Sequence, residues 1–168
     1  MAKLLGACLV GLASLMAGWA SRQTMQHHVR LLRQLRLGLE LMQGEMEVRM
    51  PPVSELFETV GRQVGGTLGA FLTETASEME AVTGRPPLTA MRLVLERLPM
   101  EKDASDLLLE LAGCLGRYDL EGQTRAIGLC KQRADRLIVA AEEMLHRRAR
   151  SSMTASVCAG LALVILLL

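Results

Sequence analysis

Few side chains in this sequence have the types and spacing that chemistry requires. The three histidines are His27, His28 and His146, and none has a metal ligand or a nucleophile at a useful distance along the chain. Glu142 and Glu143 are adjacent carboxylates, but neighbours on a helix point about 100° apart and do not converge on a substrate. The phosphate-binding loop motif of ATPases is missing. We therefore expect a protein with no enzymatic activity, cofactor, metal or small-molecule substrate.

An enzyme and a nucleic-acid-binding protein are the other classes to consider. A small membrane-bound enzyme would have to use Glu142, Glu143 or His146, and it stays open as an alternative. Nucleic-acid binding is not expected, because a basic domain with interleaved aromatic residues is missing. Cys114 and Cys130 are not spaced as a CxxC pair, so reduced thiols are expected and a disulfide framework is not.

The charges of the chain are strongly segregated. All 18 acidic residues lie within residues 40–143, where 11 of the 19 basic residues give a net charge of −7. The two flanks carry the other eight basic residues and no carboxylate. The chain therefore has an acidic middle and basic ends.

Each end of the chain contains an uncharged apolar segment, residues 4–20 and residues 153–168. Such a segment would form a helix about 25 Å long, whereas the hydrocarbon core of a bilayer is about 30 Å thick. The bilayer must therefore thin locally, or flanking side chains must extend to the headgroups. We predict an amino-terminal transmembrane helix at 1–20, a cytoplasmic domain at 21–152 and a carboxy-terminal transmembrane helix at 153–168. A cleaved signal peptide is the alternative for the first segment, since Lys3 precedes it and small residues lie near position 20.

Basic residues flank both apolar segments on the side of the central domain. The positive-inside rule therefore places that domain in the cytoplasm and both termini outside. The residues predicted to flank the membrane anchors are Arg22, Arg30, Arg147, Arg148 and Arg150.

Apolar residues of the middle recur at every third or fourth position, which predicts helices; on the first helix they are Val29, Leu32, Leu35, Leu39 and Met42. The first apolar helix is expected to continue to Met50. Asp103 and Asp119 are predicted to cap the fifth and sixth helices. Val82 is predicted to point inward at the end of the third helix, and Leu98 is predicted to be the last apolar residue of the fourth. The helix breakers are Pro51-Pro52, Gly65-Gly66, Gly84 to Pro87, Pro99 and Gly116. The prediction is an all-α, compact bundle of about six helices, with long first and last helices continuing into the two transmembrane segments.

The order of short motifs resembles that of the stage III sporulation protein AB family. The motifs are Arg33-Gln34-Leu35-Arg36 with Leu39 and Glu45, Pro52-Val53-Ser54-Glu55, Leu115-Gly116, Asp119 through Gln123, and the aliphatic tail. The resemblance covers nearly the whole chain. It implies a structural or adaptor component of the secretion-like channel between mother cell and forespore, with a domain similar to the platform F-type domain of type II secretion systems.

The resemblance also implies a location and partners. The chain would lie in the mother-cell membrane that faces the forespore, with its soluble domain in the cytoplasm. It would dock the secretion-type ATPase, stage III sporulation protein AA, and contact other channel subunits. The alternative within this class is a platform subunit of a type II secretion or type IV pilus system.

Seven residues of these motifs are candidate partner contacts. The alternative is that Asp119 caps a helix and that the others make contacts within the bundle. The candidates are Arg33, Gln34, Arg36, Glu45, Glu55, Asp119 and Gln123.

Overall fold

The computed structural model describes the backbone of residues 2–82, 84–116 and 119–167. Side-chain surroundings are described for residues 26–82, 84–116, 119, 121–145 and 147. This part of the chain is all-α, which confirms the predicted fold class. Its helices are α1 (Ala2–Arg49), α2 (Val53–Val64), α3 (Gly66–Ala81), α4 (Pro87–Arg97), α5 (Lys102–Cys114) and α6 (Leu120–Leu167).

The chain divides into two compact units. Arg30–Ile138 forms the first and contains α2 to α5 with the adjoining parts of α1 and α6. We call this unit the bundle. The other unit consists of the amino-terminal part of α1 and the carboxy-terminal part of α6.

A single apolar core holds the bundle together. The inward face of α1 supplies residues at helical spacing, and Leu35, Leu39 and Met42 are at most 1% exposed. Phe57 from α2 and Phe71 from α3 are completely buried in the same core. Residues of α4, α5 and α6 complete the cluster, including Met91, Val94, Leu107, Leu108, Leu111 and Ile127. The 3- and 4-residue periodicity therefore identified the core face of α1 correctly.

Local backbone chemistry sets the helix boundaries. Pro52 is the N-cap of α2, and the Leu56 N–H donates to its carbonyl oxygen at 2.9 Å. Gly65 lies between α2 and α3, and both Gly65 and Gly66, the first residue of α3, have a φ of +62°, a conformation that residues with side chains disfavour. The predicted cap at Asp119 is confirmed, because its Oδ1 accepts from the Gly122 N–H at 3.1 Å.

Three positions were predicted wrongly, all near helix ends. Glu101 occupies the N-cap of α5, and Asp103 lies in the first turn, where its charge still favours the helix dipole. Val82, predicted inward, is 50% exposed, and Leu98, predicted within the fourth helix, lies beyond its last residue and is 41% exposed. Both are C-cap residues with extended or irregular backbone, so the helical period no longer sets their direction.

Helices α2 and α3 cross at a pair of glycines. A Cβ added at Gly69 would lie 2.5 Å from the carbonyl oxygen of Gly61, and a Cβ at Gly61 would lie 2.9 Å from the carbonyl oxygen of Gly69. At Gly69 the nearest obstacle is backbone, which cannot rotate away, and at Gly61 the Thr73 hydroxyl oxygen lies nearer still, at 2.7 Å. The two helices therefore approach more closely than any residue with a side chain would allow.

No helix is long and apolar enough to cross a membrane among the residues for which the structure describes side-chain surroundings. The two predicted transmembrane segments, residues 1–20 and 153–168, lie outside those residues. Both α1 and α6 are continuous into these segments, as predicted.

Replacing Gly69 by alanine is expected to destabilise the chain by about 1–3 kcal/mol, because the new methyl group must push α2 away from α3. The matched control is Gly128→Ala in α6, where a Cβ would have no atom within 4 Å. That change should stabilise the helix by about 0.5–1 kcal/mol. Thermal unfolding of the full chain in detergent, followed by circular dichroism, measures both changes. Equal melting temperatures for the two variants would contradict the close crossing.

Candidate functional site

The candidate residues of the Arg33–Arg36 motif make contacts within the bundle. Gln34 lies against the turn between α2 and α3, since its Nε2 atom is 2.9 Å from where a Cβ of Gly66 would be. Arg36 donates from Nε to Asp135 Oδ1 of α6 at 2.8 Å. It also pairs with Glu40 at 3.2 Å within α1. These two motif residues therefore connect α1 to the rest of the bundle.

Two further motifs stabilise turns. The Gly116 N–H donates to Gln123 Oε1 at 3.3 Å, and this bond complements the cap at Asp119. A φ of +75° at Gly116 explains the glycine in the Leu115-Gly116 motif. At the turn between α1 and α2, Glu55 pairs with Arg49 at 3.6 Å, and both side chains are about half exposed or more. Such an exposed pair contributes little stability.

Arg33 and Glu45 are the remaining candidate residues. Arg33 is exposed on α1, and Glu45 is half-buried without a recorded ion pair or hydrogen bond to any described residue. The seven candidates therefore do not converge on one site. Of the predicted anchor flanks, Arg30 and Arg147 are exposed. The side chains of Arg22, Arg148 and Arg150 lie outside the described residues, as does that of His146.

An exposed apolar stripe on α1 was missed in the sequence. Leu37 is 47% exposed and Val48 is 82% exposed, while Leu41 is half-buried and Gly44 is exposed. At about 100° per residue these four lie within about 60° of one another. Leu41 also packs against the core cluster, so Leu37 and Val48 supply the exposed apolar side chains of this face. We call them the outer stripe. Their 4-3-4 spacing was the available signal, but the periodicity was assigned only to the inward face.

Three carboxylates border the outer stripe. On the helix, Glu40 and Glu47 lie along one edge and Glu45 along the other. Glu40 pairs with Arg36, and the Gln43 amide donates to Glu47 at 3.0 Å. Arg33 lies one helical turn before Leu37, and Arg36 pairs with Glu40, so the borders of the outer stripe carry charges of both signs.

A charged cluster connects α3 to α4. Arg97 and Arg85 both pair with Glu78, and Arg97 also pairs with Glu74 at 3.2 Å. The hydrogen bond from Arg97 lowers the pKa of Glu78, burial opposes that change, and the charges of both arginines add to it. In turn, the hydrogen bond to Glu78 and the negative charge of Glu78 raise the pKa of Arg97. These groups pair with one another, so the cluster has a structural role.

Cys130, Glu142 and Glu143 are further titratable groups in the described part of the chain. Burial is the main cause that raises the pKa of the Cys130 thiol to about 11, which keeps it protonated and a poor nucleophile at neutral pH. Glu142 and Glu143 line a surface depression with Val139 and Arg147. Within the described residues, no group of three or more His, Cys, Asp or Glu side chains is placed to hold a metal ion.

Comparison with known proteins identifies the family. The sequence model of the stage III sporulation protein AB family matches residues 3–168. This chain belongs to the stage III sporulation protein AB family. A member from Bacillus subtilis (strain 168), stage III sporulation protein AB, is 20% identical over 171 residues, which cover the full length of both chains.

A solved structure agrees with the fold of this family member. That structure, also of stage III sporulation protein AB, matches with a TM-score of 0.60 and 19% identity. The match covers 69% of this chain and 94% of the other. At this identity the match supports the fold alone. The family resemblance predicted from the motifs is thus confirmed.

The Glu78 cluster predicts a specific loss of stability in acid. A carboxylate whose pKa is lowered by folding stabilises the folded state above its ordinary value of 4.5, and this contribution is lost as the pH falls through the lowered value. Unfolding between about pH 5 and pH 3 should therefore depend less on pH in Glu78→Gln than in the wild type. The control is Glu80→Gln, an exposed neighbour on α3, which should keep the wild-type slope. Identical slopes for all three proteins would contradict the role of the cluster.

Proposed function

We propose that this member of the stage III sporulation protein AB family is a non-enzymatic adaptor in a secretion-like channel between mother cell and forespore. Its two apolar ends anchor it in the mother-cell membrane that faces the forespore. Its bundle lies in the cytoplasm and docks the secretion-type ATPase, stage III sporulation protein AA. Other membrane subunits of the channel complete the assembly.

The segregation of charge is the observation that carries this proposal. Residues 40–143 have a net charge of −7, whereas every charged side chain in the flanks next to the apolar segments is basic. Basic residues beside a membrane favour anionic lipid by about 1 kcal/mol each, and they resist translocation. An acidic domain held there is suited to attract a basic surface of a cytoplasmic partner.

The arrangement of the candidate residues supports an adaptor in preference to an enzyme. Gln34, Arg36, Asp119 and Gln123 hold helices and turns of the bundle together, and the described carboxylates do not converge with a nucleophile or base. What the bundle presents to its surroundings is a rigid surface with acidic residues around exposed apolar ones. Protein binding is the chemistry that such a surface supports.

Binding of the ATPase to the full chain in lipid nanodiscs is expected to depend on Glu45. Glu45→Lys places a positive charge at the edge of the outer stripe and should raise the dissociation constant at least about fivefold, since like charges then face each other. Wild-type binding should weaken as salt rises from about 50 to 500 mM. Fluorescence anisotropy with labelled ATPase measures both effects.

The matched control is Glu80→Lys on α3, an exposed carboxylate that forms no ion pair with any described residue. This variant changes the net charge by the same amount and should bind nearly as well as the wild type. Thermal unfolding of both variants shows that they remain folded. A folded wild-type chain that does not bind the ATPase at low salt rules out direct docking.

A further inference from the structure

We propose that Cys114 and Cys130 form a redox-active pair, in which peroxide converts the two thiols into a disulfide that fixes the end of α5 to α6. Both residues are free thiols in the described structure, in keeping with the reduced state expected from the sequence. The proposed adaptor function uses neither of them. The pair is therefore a second property of the bundle, independent of ATPase docking.

Two contacts between α5 and α6 enclose the cysteines. At the turn, the N–H of Gly116, just beyond α5, donates to Gln123 Oε1 of α6 at 3.3 Å. Farther from the turn, Glu110 of α5 pairs with Arg133 of α6. The contact thus moves backward along α5 as it moves forward along α6, so the two helices run in opposite directions. Position 114 lies between 110 and 116, and position 130 lies between 123 and 133, which places both cysteines in the same stretch of this interface.

Helical spacing turns the two thiols toward the same side. Cys114 follows Glu110 by four residues and Cys130 precedes Arg133 by three, so each cysteine lies beside the member of the ion pair on its own helix. Cys130 is 3% exposed and belongs to the core cluster, in which Leu115 at the end of α5 also packs. Cys114 is half-buried at the edge of that core.

The electrostatics of Cys130 support this proximity. Burial is the main cause that raises the pKa of its thiol to about 11, and the negative charges of Glu110 and of ionised Cys114 raise it further, while Arg133 opposes them. Charges influence one another strongly only over short distances in salt solution, within a screening length of about 8 Å. The residues of the ion pair and the second cysteine are thus the near neighbours of the Cys130 sulfur.

The difference in exposure between the two thiols sets the order of the reaction. Peroxide reaches the half-buried Cys114 first, and one peroxide oxygen is transferred to its sulfur, which gives a sulfenic acid and one water. The Cys130 sulfur then attacks the Cys114 sulfur, and the sulfenic hydroxyl leaves as water with the Cys130 proton. Two thiols and one peroxide therefore give one disulfide and two waters. A thiol reductant reverses the oxidation by exchange.

Peroxide treatment of the full chain in detergent, followed by alkylation of the remaining thiols and peptide mass spectrometry, tests the pair. We expect a peptide joined through Cys114 and Cys130 and a melting temperature raised by about 5–10 °C, because the bond closes a loop of about 15 residues. A thiol reductant should restore the original mass and melting temperature. Replacing Cys8 and Cys158, the cysteines of the two apolar segments, by alanine should leave the response unchanged.

Substitutions at the two positions separate the steps. Cys114→Ala should abolish the peroxide-dependent rise in melting temperature. Cys130→Ala should stop the reaction at the sulfenic acid of Cys114, which the cyclic diketone dimedone traps as a stable adduct. Because Cys130 is buried in the core, the melting temperature of each variant is first measured without peroxide. The half-buried Cys114 provides the test if the Cys130 variant does not fold.

Three results would overturn the inference. The first is a folded, peroxide-treated chain without a peptide joined through Cys114 and Cys130. The second is a bond from Cys114 to another copy of the chain only. The third is an internal bond that lowers the melting temperature, since it would then join thiols that the fold holds apart. None of these measurements includes the ATPase, so the pair and the proposed adaptor function stand or fail separately.

Discussion

The burial of one face of α1 is the interaction on which the bundle depends. The four helices between α1 and α6 have only 11 to 16 residues each, a length at which an isolated helix is marginal in water. Leu35, Leu39 and Met42 give them a continuous apolar surface to pack against, and these residues are almost fully removed from solvent. Loss of that surface would leave the short helices without most of their stabilisation, since tertiary packing supplies it.

This dependence explains why so many motif residues are structural. Short helices must be held at defined angles, and the chain uses polar contacts at their ends for this purpose. Gln34 supports the turn between α2 and α3, Arg36 joins α1 to α6, and Asp119 with Gln123 orders the start of α6. Each contact is worth little alone, but together they fix the direction in which each helix leaves its turn.

The sequence was sufficient for the fold because its signals are local. Helical periodicity and the breakers at Pro52, Gly65 and Gly116 depend only on neighbouring residues, and they placed the helices correctly. Val82 and Leu98 were predicted wrongly because helical periodicity does not predict the direction of a side chain beyond the end of the helix.

The site could be predicted only in part. The contact of Gln34 with Gly66 depends on how α1 packs against a distant turn, so no local pattern indicates it. The cap at Asp119 was predictable, because a cap is set by residues within one turn of it. The outer stripe was visible as spacing, yet spacing alone does not tell which of two apolar faces is buried.

A helix with two apolar faces presents a conflict that the bundle resolves through residue size. The inward face uses large leucines and methionines, which fill a core at high density. The outward face has Gly44 at its centre, so it exposes less apolar area than a leucine there would, and the risk of non-specific association is lower. The flanking carboxylates add repulsion between copies of the chain.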